Sequence, residues 1–336
     1  MDSLTHILSG ALIGEVIAGK QLKKKAMLWG AIAQTIPDLD VISSLWMSPA
    51  ESALAHRGFT HSFTFIILFA PLIAWLMKRM SKNSEMTFKR WTIFFAIELS
   101  AHILIDSLTT YGTAWFEPFS HYRVSFNVIF VADPFYTIWL LIPAVVLLIL
   151  RSNKKSRMQW ALSGLLFSTC YIGYCINNKS QVDAIVDKEL SRQRVNASRI
   201  ISTPSPLNSW LWYLIVESKD GFYTGYRSVF DKTDSIRFQF FSKNDSLLAG
   251  FEENKDLENL LRFSQGFHTI EDINDTLVYN DLRFGQILGW SDPHGEFVFH
   301  YYLQNPVSNV MVVQRGRFSK INRDAFNSLI TRIEGN

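Results

Sequence analysis

The sequence predicts a membrane-embedded, all-α N-terminal half of about six spans or re-entrant helices, joined to a soluble α+β C-terminal domain. Three observations carry that expectation. Long apolar runs fill residues 1–178 and then cease. Short alternating runs, separated by turn residues, follow them. The whole-chain average is intermediate, with 48% hydrophobic and 19% charged residues and a mean hydropathy of +0.08, as expected of a chain divided between two solvents. Lys and Arg number 33 against 30 Asp and Glu, which is too small a basic excess for a dedicated nucleic-acid binder. Cys170 and Cys175 are the only cysteines and share one apolar run, so neither a disulfide framework nor a cysteine-ligated zinc site is available.

The clearest apolar runs are 62–77, 91–105, 134–150 and 158–176, each near the roughly 20 residues that span a bilayer as a helix. Two others are less regular. Residues 4–19 are punctuated by glycine, and 26–46 are interrupted by Pro37, Asp38 and Asp40. Polar interruptions at membrane depth must face protein or water, so these two runs are expected to line a cavity. Basic residues set the orientation. Lys20, Lys23, Lys24 and Lys25, then Lys78, Arg79, Lys82, Lys89 and Arg90, then Arg151, Lys154, Lys155 and Arg157 fall in alternate loops, while the intervening loops hold only Arg57 and Arg123. The positive-inside rule places the first set in the cytoplasm. Six spans then put the N-terminus and the C-terminal domain outside, in a multi-pass protein of the cell membrane. Met1-Asp2-Ser3 has no basic residue before the first run, which reads as an uncleaved segment.

Residues 1–178 form the expected membrane domain, 179–206 a linker ending in Pro204 and Pro206, and 207–336 an extracytoplasmic α+β domain. Strands are expected near Trp210–Val216, Gly221–Phe230, Ile236–Phe241, Thr276–Val278, Glu296–Tyr302 and Asn309–Gln314. Helical spacing marks 253–263 and 319–333.

Five of the eight histidines lie in the N-terminal half, where an unpartnered imidazole is costly. In the predicted topology His6, Asp38, Asp40, His56, His61, His102 and Asp106 all reach the outer side. The unit Glu98-x3-His102-x3-Asp106 puts three polar groups on one helix face, and neutral His with ionised Asp suits zinc, manganese or iron. The plainer alternative for His102 is a helix-packing hydrogen bond. In His56-Arg57-Gly58-Phe59-Thr60-His61-Ser62, a loop-to-helix geometry lets both imidazoles converge, and Thr60 or Ser62 can cap the following helix. Arg57 suits a phosphate or carboxylate oxygen, or else snorkels to water. Pro37-Asp38-Leu39-Asp40 breaks a helix and offers two carboxylates, one as ligand and one as supporting group or base, or both in a solvated loop. His6 joins the set by position. His121 and Asp133 read as loop or supporting residues, and His268, His294 and His300 as ordinary.

These motifs resemble a known family. Met1-Asp2-Ser3-Leu4-Thr5-His6, Pro37 to Asp40, His56 to Ser62, and His102-x3-Asp106 with Thr110-Tyr111-Gly112-Thr113 are similar to the YdjM-like family, membrane-bound proteins described as metal-dependent hydrolases and sometimes linked to LexA regulation. Longer members, of the YfhP kind, look similar along the whole chain, sharing Asp133-Pro134, the segment Pro204 to Trp212 and the Phe263–Phe267 segment. More faintly, the order His, Asp, His, His-x3-Asp resembles zinc-dependent phospholipase C and related single-strand nucleases. That likeness carries over only to His6, Asp38 or Asp40, His56 or His61, His102 and Asp106; the later His and Glu ligands of that group have no clear match.

Residues and resemblance together give the expected function: a metal-dependent hydrolase of a phosphoester or lipid-linked substrate at the outer leaflet. One or two divalent ions, zinc foremost, would activate a water. The spare aspartate or Glu98 would take its proton, and Arg57 would hold a phosphate oxygen. The alternative is a non-catalytic sensor or scaffold with a structural metal and a partner-binding external domain. A transporter ranks last, since no inverted repeat is visible.

Overall fold

The computed structural model describes residues 1–81, 85–152, 155–251, 253–273, 275–304 and 322–335. Two compact units emerge. The first comprises Met1–Ile42, Ala55–Cys175 and Pro206–Asn208, and the second Ser43–Leu54, Ile176–Ser205 and Ser209–Asn336.

The first unit is helical. α1 (Ser3–Leu22) turns at Lys23, whose φ is +54°, into α2 (Lys25–Thr35). The glycines of the first apolar run serve this hairpin. A Cβ on Gly10 would lie 2.3 Å from the Gly30 carbonyl oxygen, and one on Gly30 only 1.9 Å from that of Gly10. The two backbones therefore touch, as small residues allow in membrane-type packing. A 3-10 stretch, Pro37–Leu45, follows and leads to α3 (Pro49–Ala55). Runs of 3-10 helix that long are uncommon and often mark functional segments.

A short 3-10 turn, Phe59–His61, precedes α4 (Phe63–Met80). Ser62 caps α4 by accepting from the Phe65 N–H at 3.0 Å, so of the two expected caps Ser62 is the one used. α5 (Phe88–Ser107) returns beside α4, and its buried Trp91, Phe94, Phe95 and Leu99 join Phe65, Ala70 and Ala74 of α4 in one core. α6 (Pro134–Ile149) starts with Pro134 in its first turn and Asp133 as cap, accepting from the Phe135 and Tyr136 N–H groups.

Among the described residues one helix is long and apolar enough to cross a membrane, α4, whose 18 residues rise about 27 Å. The expected six spans are not supported. α1 carries Glu15 and Lys20; α2 has 11 residues and α6 has 16; α5 includes Lys89, Arg90, Glu98 and Asp106. Some of this polarity is satisfied internally. Buried Arg157 grips both carboxylate oxygens of buried Glu15 at 2.7 Å and donates to the Leu150 carbonyl. Lys82 and Lys154 lie outside the described residues.

α7 (Ser156–Gln193) runs for 38 residues, continuing as helix through the first part of the expected linker. The reason is hydrophobic. Val182, Val186 and Leu190, spaced by four, bury against Trp212, Leu214, Val216 and Ile236 of the second unit's core.

That second unit is built on two antiparallel sheets. β1 (Arg199–Pro204), β2 (Leu211–Glu217), β3 (Gly221–Ser228) and β4 (Gln239–Ser242) pair in sequence order; β5 (His268–Ile273), β6 (Thr276–Gln286) and β7 (Phe297–Tyr302) form the other sheet. β2 explains the layering. Trp212, Leu214 and Val216 face α7, while Tyr213 and Ile215 pack with Phe222, Phe267, Leu282 and Phe297 between the sheets. α8 (Lys255–Ser264) and α9 (Arg323–Ile333) match the two expected helices closely. β1 and β5 had no strand signal in the sequence, and the expected strand Asn309–Gln314 lies outside the described residues. α8 also holds the Ser43–Leu54 segment: Ser48 donates to Asp256 at 2.6 Å, and Lys255 pairs with Glu51 at 2.5 Å.

Candidate metal centre

Four residues of the helical unit bring one ligand atom each into a common space: Asp38, His61, His102 and Asp106, all within 4.8 Å of one another. Asp38 comes from the 3-10 stretch after α2, His61 from the turn before α4, and the other two from successive turns at the end of α5. His61, His102 and Asp106 are fully buried, and the Asp38 side chain is 22% exposed.

The separations resemble a coordination sphere. His61 Nε2 lies 3.0 Å from His102 Nε2, 3.4 Å from Asp38 Oδ1 and 3.3 Å from Asp106 Oδ2. His102 Nε2 lies 3.6 Å from each of those carboxylate oxygens. Ligand bonds of about 2.0–2.1 Å around a tetrahedral ion separate ligand atoms by about 3.3–3.4 Å.

Protonation points the same way. His102 Nδ1–H donates to the Gln34 carbonyl at 2.7 Å, since a carbonyl can only accept, and a neutral ring then leaves Nε2 with a lone pair. The packing hydrogen bond foreseen for His102 therefore coexists with a free ligand nitrogen. Thr60 Oγ1 donates to Asp40 Oδ2 at 2.8 Å and so accepts from His61 Nδ1–H at 3.0 Å. His61 likewise turns its Nε2 inward, towards His102 and the two carboxylates. Two unprotonated nitrogens at 3.0 Å repel unless a proton or cation lies between them. Asp106 Oδ2, buried and without a hydrogen-bond partner, adds a negative charge to the same space. The donor set fits a divalent metal ion.

A second layer holds these four. Asp40 accepts from the Arg57 backbone N–H at 3.0 Å and pairs with His56 Nδ1 at 2.8 Å, while its Oδ2 lies 3.4 Å from His61 Nδ1. Asp40 therefore backs His61, and Asp38 faces inward. His6 packs its ring on that of His102 at 3.9 Å and reaches Asp106 Oδ1 through Nε2 at 3.0 Å. The Met1 ammonium touches the same oxygen. Arg57 is buried rather than snorkelling: Nη1 donates to Thr109 at 2.8 Å, and Nε sits 3.1 Å from Asp106 Oδ2 without hydrogen-bond geometry. Its φ is +62°, a left-handed conformation held by these contacts.

The structure thus separates the expected residues. Asp38, His61, His102 and Asp106 converge. Asp40, His6 and Arg57 contact them. His56, its side chain 36% exposed, sits at the rim, bonded to Asp40 and edge-on to the His61 ring at 6.0 Å, and brings no ligand atom into the cluster. Glu98 is buried one turn from His102 and accepts from Gln34 Nε2 at 3.2 Å, leaving Oε1 without a hydrogen-bond partner. Asp133 caps α6, and His121 pairs with Glu117. Sequence reasoning missed Gln34, Thr60 and Thr109 as positioning residues. Gln34 was detectable, because a single amide in an otherwise apolar stretch needs a partner.

A family model described as YdjM inner membrane protein matches residues 1–182, more than half of the chain and all of this site. The chain belongs to the YdjM family. It is 30% identical over 122 residues to the inner membrane protein YbcI of Escherichia coli K12, a match covering 36% of this chain and 69% of that protein. It is 26% identical over 143 residues to the uncharacterized protein YfhP of Bacillus subtilis 168, covering 40% of this chain and 42% of that one. No solved structure matches.

Proposed function

We propose that this YdjM-family chain is a membrane-embedded, metal-dependent hydrolase acting on a phosphoester. The observation that carries the reading is the approach of His61 Nε2 and His102 Nε2 to 3.0 Å beside a buried Asp106 oxygen that has no hydrogen bond. A divalent ion bound there, zinc foremost and manganese or iron next, supplies a water acidified towards neutral pH.

The protein's own groups have separate tasks. His61, His102, Asp38 and Asp106 hold the ion. Thr60, itself held by Asp40, and the Gln34 carbonyl orient the two imidazoles. Asp38, the least buried of the four, leaves the side on which a substrate can approach. Asp40 and Glu98 are the carboxylates outside the ligand set, and either is a candidate to take the proton. Arg57 brings positive charge beside Asp106, where a phosphate oxygen would develop charge. Membrane location is supported by the names of the family and of YbcI, both inner membrane proteins, and by α4. Lys78 and Arg79 in the last turn of α4 favour placing that end in the cytoplasm and the metal-centre end outside.

The test is metal content by mass spectrometry on purified wild type beside His102→Ala/Asp106→Ala. Stoichiometric zinc, manganese or iron, lost in a variant that still folds, supports the reading. Wild type that takes up no metal after dialysis against each ion overturns it. Metal held without hydrolysis of any phosphoester leaves a structural ion in a sensor or scaffold.

A further inference from the structure

We infer that the segment joining α5 to α6 is an interfacial anchor seating the metal centre in the headgroup layer of a bilayer leaflet, so that the substrate phosphoester is that of a lipid. The substrate clause rests on the metallohydrolase reading; the anchor does not.

Residues 113–126 are outside the long helices, yet Phe116, Phe119, Tyr122 and Phe126 are 50%, 87%, 64% and 46% exposed. Four exposed aromatic rings in one loop are unfavourable in water and typical of a surface that meets another phase. Charge on the segment is muted. Glu117 is paired with His121 at 2.6 Å, and Arg123 is buried.

Its place in the fold fixes the depth. The Phe63 N–H, at the start of α4, donates to the Trp115 carbonyl at 2.9 Å, and the Phe63 ring packs against Trp115 and Phe116 at 5.4 and 6.0 Å. At the other end of α4, Lys78 and Arg79 occupy the last turn, with the Arg79 guanidinium over Trp75 at 4.0 Å. Aromatic residues at one end and cationic residues with an aromatic at the other are how a spanning helix marks its two interfaces.

The metal ligands share the aromatic end. His61 lies two residues before α4; the Ala114 N–H donates to the Arg57 carbonyl at 3.0 Å; and Trp115 Nε1 donates at 2.7 Å to Ser107, next to Asp106. The anchor and the ligand turns are thus bonded to one another. A lipid leaflet is the occupant that matches an aromatic, charge-poor collar at the end of an apolar helix.

The test uses the full chain with Cys170→Ala and Cys175→Ser, reconstituted into vesicles of phosphatidylcholine and phosphatidylglycerol. A spin label at Phe119→Cys should collide several-fold more with oxygen than with an aqueous nickel chelate, and a label at Asp220→Cys, in a hairpin of the sheet unit, the reverse. Nickel access at 119 equal to that at 220 overturns the anchor. Exclusion of both reagents at 119 also overturns it, and indicates a protein neighbour. Metal-loaded wild type is then given vesicle phospholipid and a water-soluble phosphate ester. Turnover of the phospholipid supports the lipid assignment. Turnover of the soluble ester alone overturns that assignment but leaves the metallohydrolase standing. Turnover of neither removes both, while the label at 119 still decides the anchor.

Discussion

His61 and His102 meet nitrogen to nitrogen, Nε2 to Nε2 at 3.0 Å, each with its Nδ1–H already committed to the scaffold, to Thr60 and to the Gln34 carbonyl. The arrangement is stable only with a positive species between the rings. Metal removal should therefore cost stability. We expect chelation to lower Tm and re-addition of zinc to restore it, with about 2.7 kcal/mol regained when free ion exceeds its Kd a hundredfold. His61→Ala should abolish the zinc-dependent shift in scanning fluorimetry; a shift that survives in that variant would place the ion elsewhere.

Asp40 touches His61 from behind rather than facing the ligand atoms. Asp40→Asn keeps its shape and removes its charge. Metal affinity is expected to fall about 10–100-fold, as for other groups that orient metal-binding histidines, while Asp38→Asn should fall further. Competition against a fluorescent chelator measures both. Equal losses would contradict the division of labour between the two aspartates.

Backbone contact between α1 and α2 makes Gly30 irreplaceable. Gly30→Ala drives a Cβ to 1.9 Å from the Gly10 carbonyl oxygen, a clash with main chain rather than with a mobile side chain. A destabilisation of about 1–3 kcal/mol or more is expected. Because Gln34 lies one turn further along α2, metal affinity should weaken as well. A thermal melt indistinguishable from wild type would refute the close crossing.

Asp133 accepts two N–H groups at the start of α6 and the Tyr171 hydroxyl at 3.0 Å. Asp133→Ala should cost about 1 kcal/mol, lowering Tm by a few degrees without changing metal content. A loss of metal in this variant would bring Asp133 into the site.

In the sheet unit, burial pushes the pKa of His268 below its ordinary value of about 6.5, and the Asp245 carboxylate at 2.9 Å only partly opposes that. The folded state thus binds this proton less readily than the unfolded chain. Stability from this group is present above about pH 6.5 and is lost as pH falls below it. Between pH 7.5 and 5.5 the Tm of wild type should drop more than that of His268→Gln; parallel curves would show that His268 contributes nothing to the dependence.

Much of the centre was legible because its chemistry is local. His102-x3-Asp106 lies on one helix face whatever surrounds it, and a lone Pro-Asp-x-Asp break in an apolar run announces a turn. What spacing could not tell was which aspartate faces inward, since Asp38 and Asp40 are distinguished only by contacts to His61 from two sides. The span count failed for a related reason. The apolar runs of α1 and α5 have the length of a span, but His6, Glu15, Glu98 and Asp106 within them find their partners inside the helical unit. β1 escaped notice because it is an edge strand with exposed first residues and a terminal proline. β5 loses its alternation at its charged end.

The segment Ser43–Leu54 leaves the ligand-bearing turn after Asp40 and returns to it before His56, and over that interval it is held by Asp256 and Lys255. A chain cut after residue 178 would retain all four ligands and forfeit both anchors of this loop. Shortening the protein to its helices is therefore not the subtraction of an independent module. It also takes away the partners of Ser48 and Glu51 in the stretch of chain between Asp40 and His56.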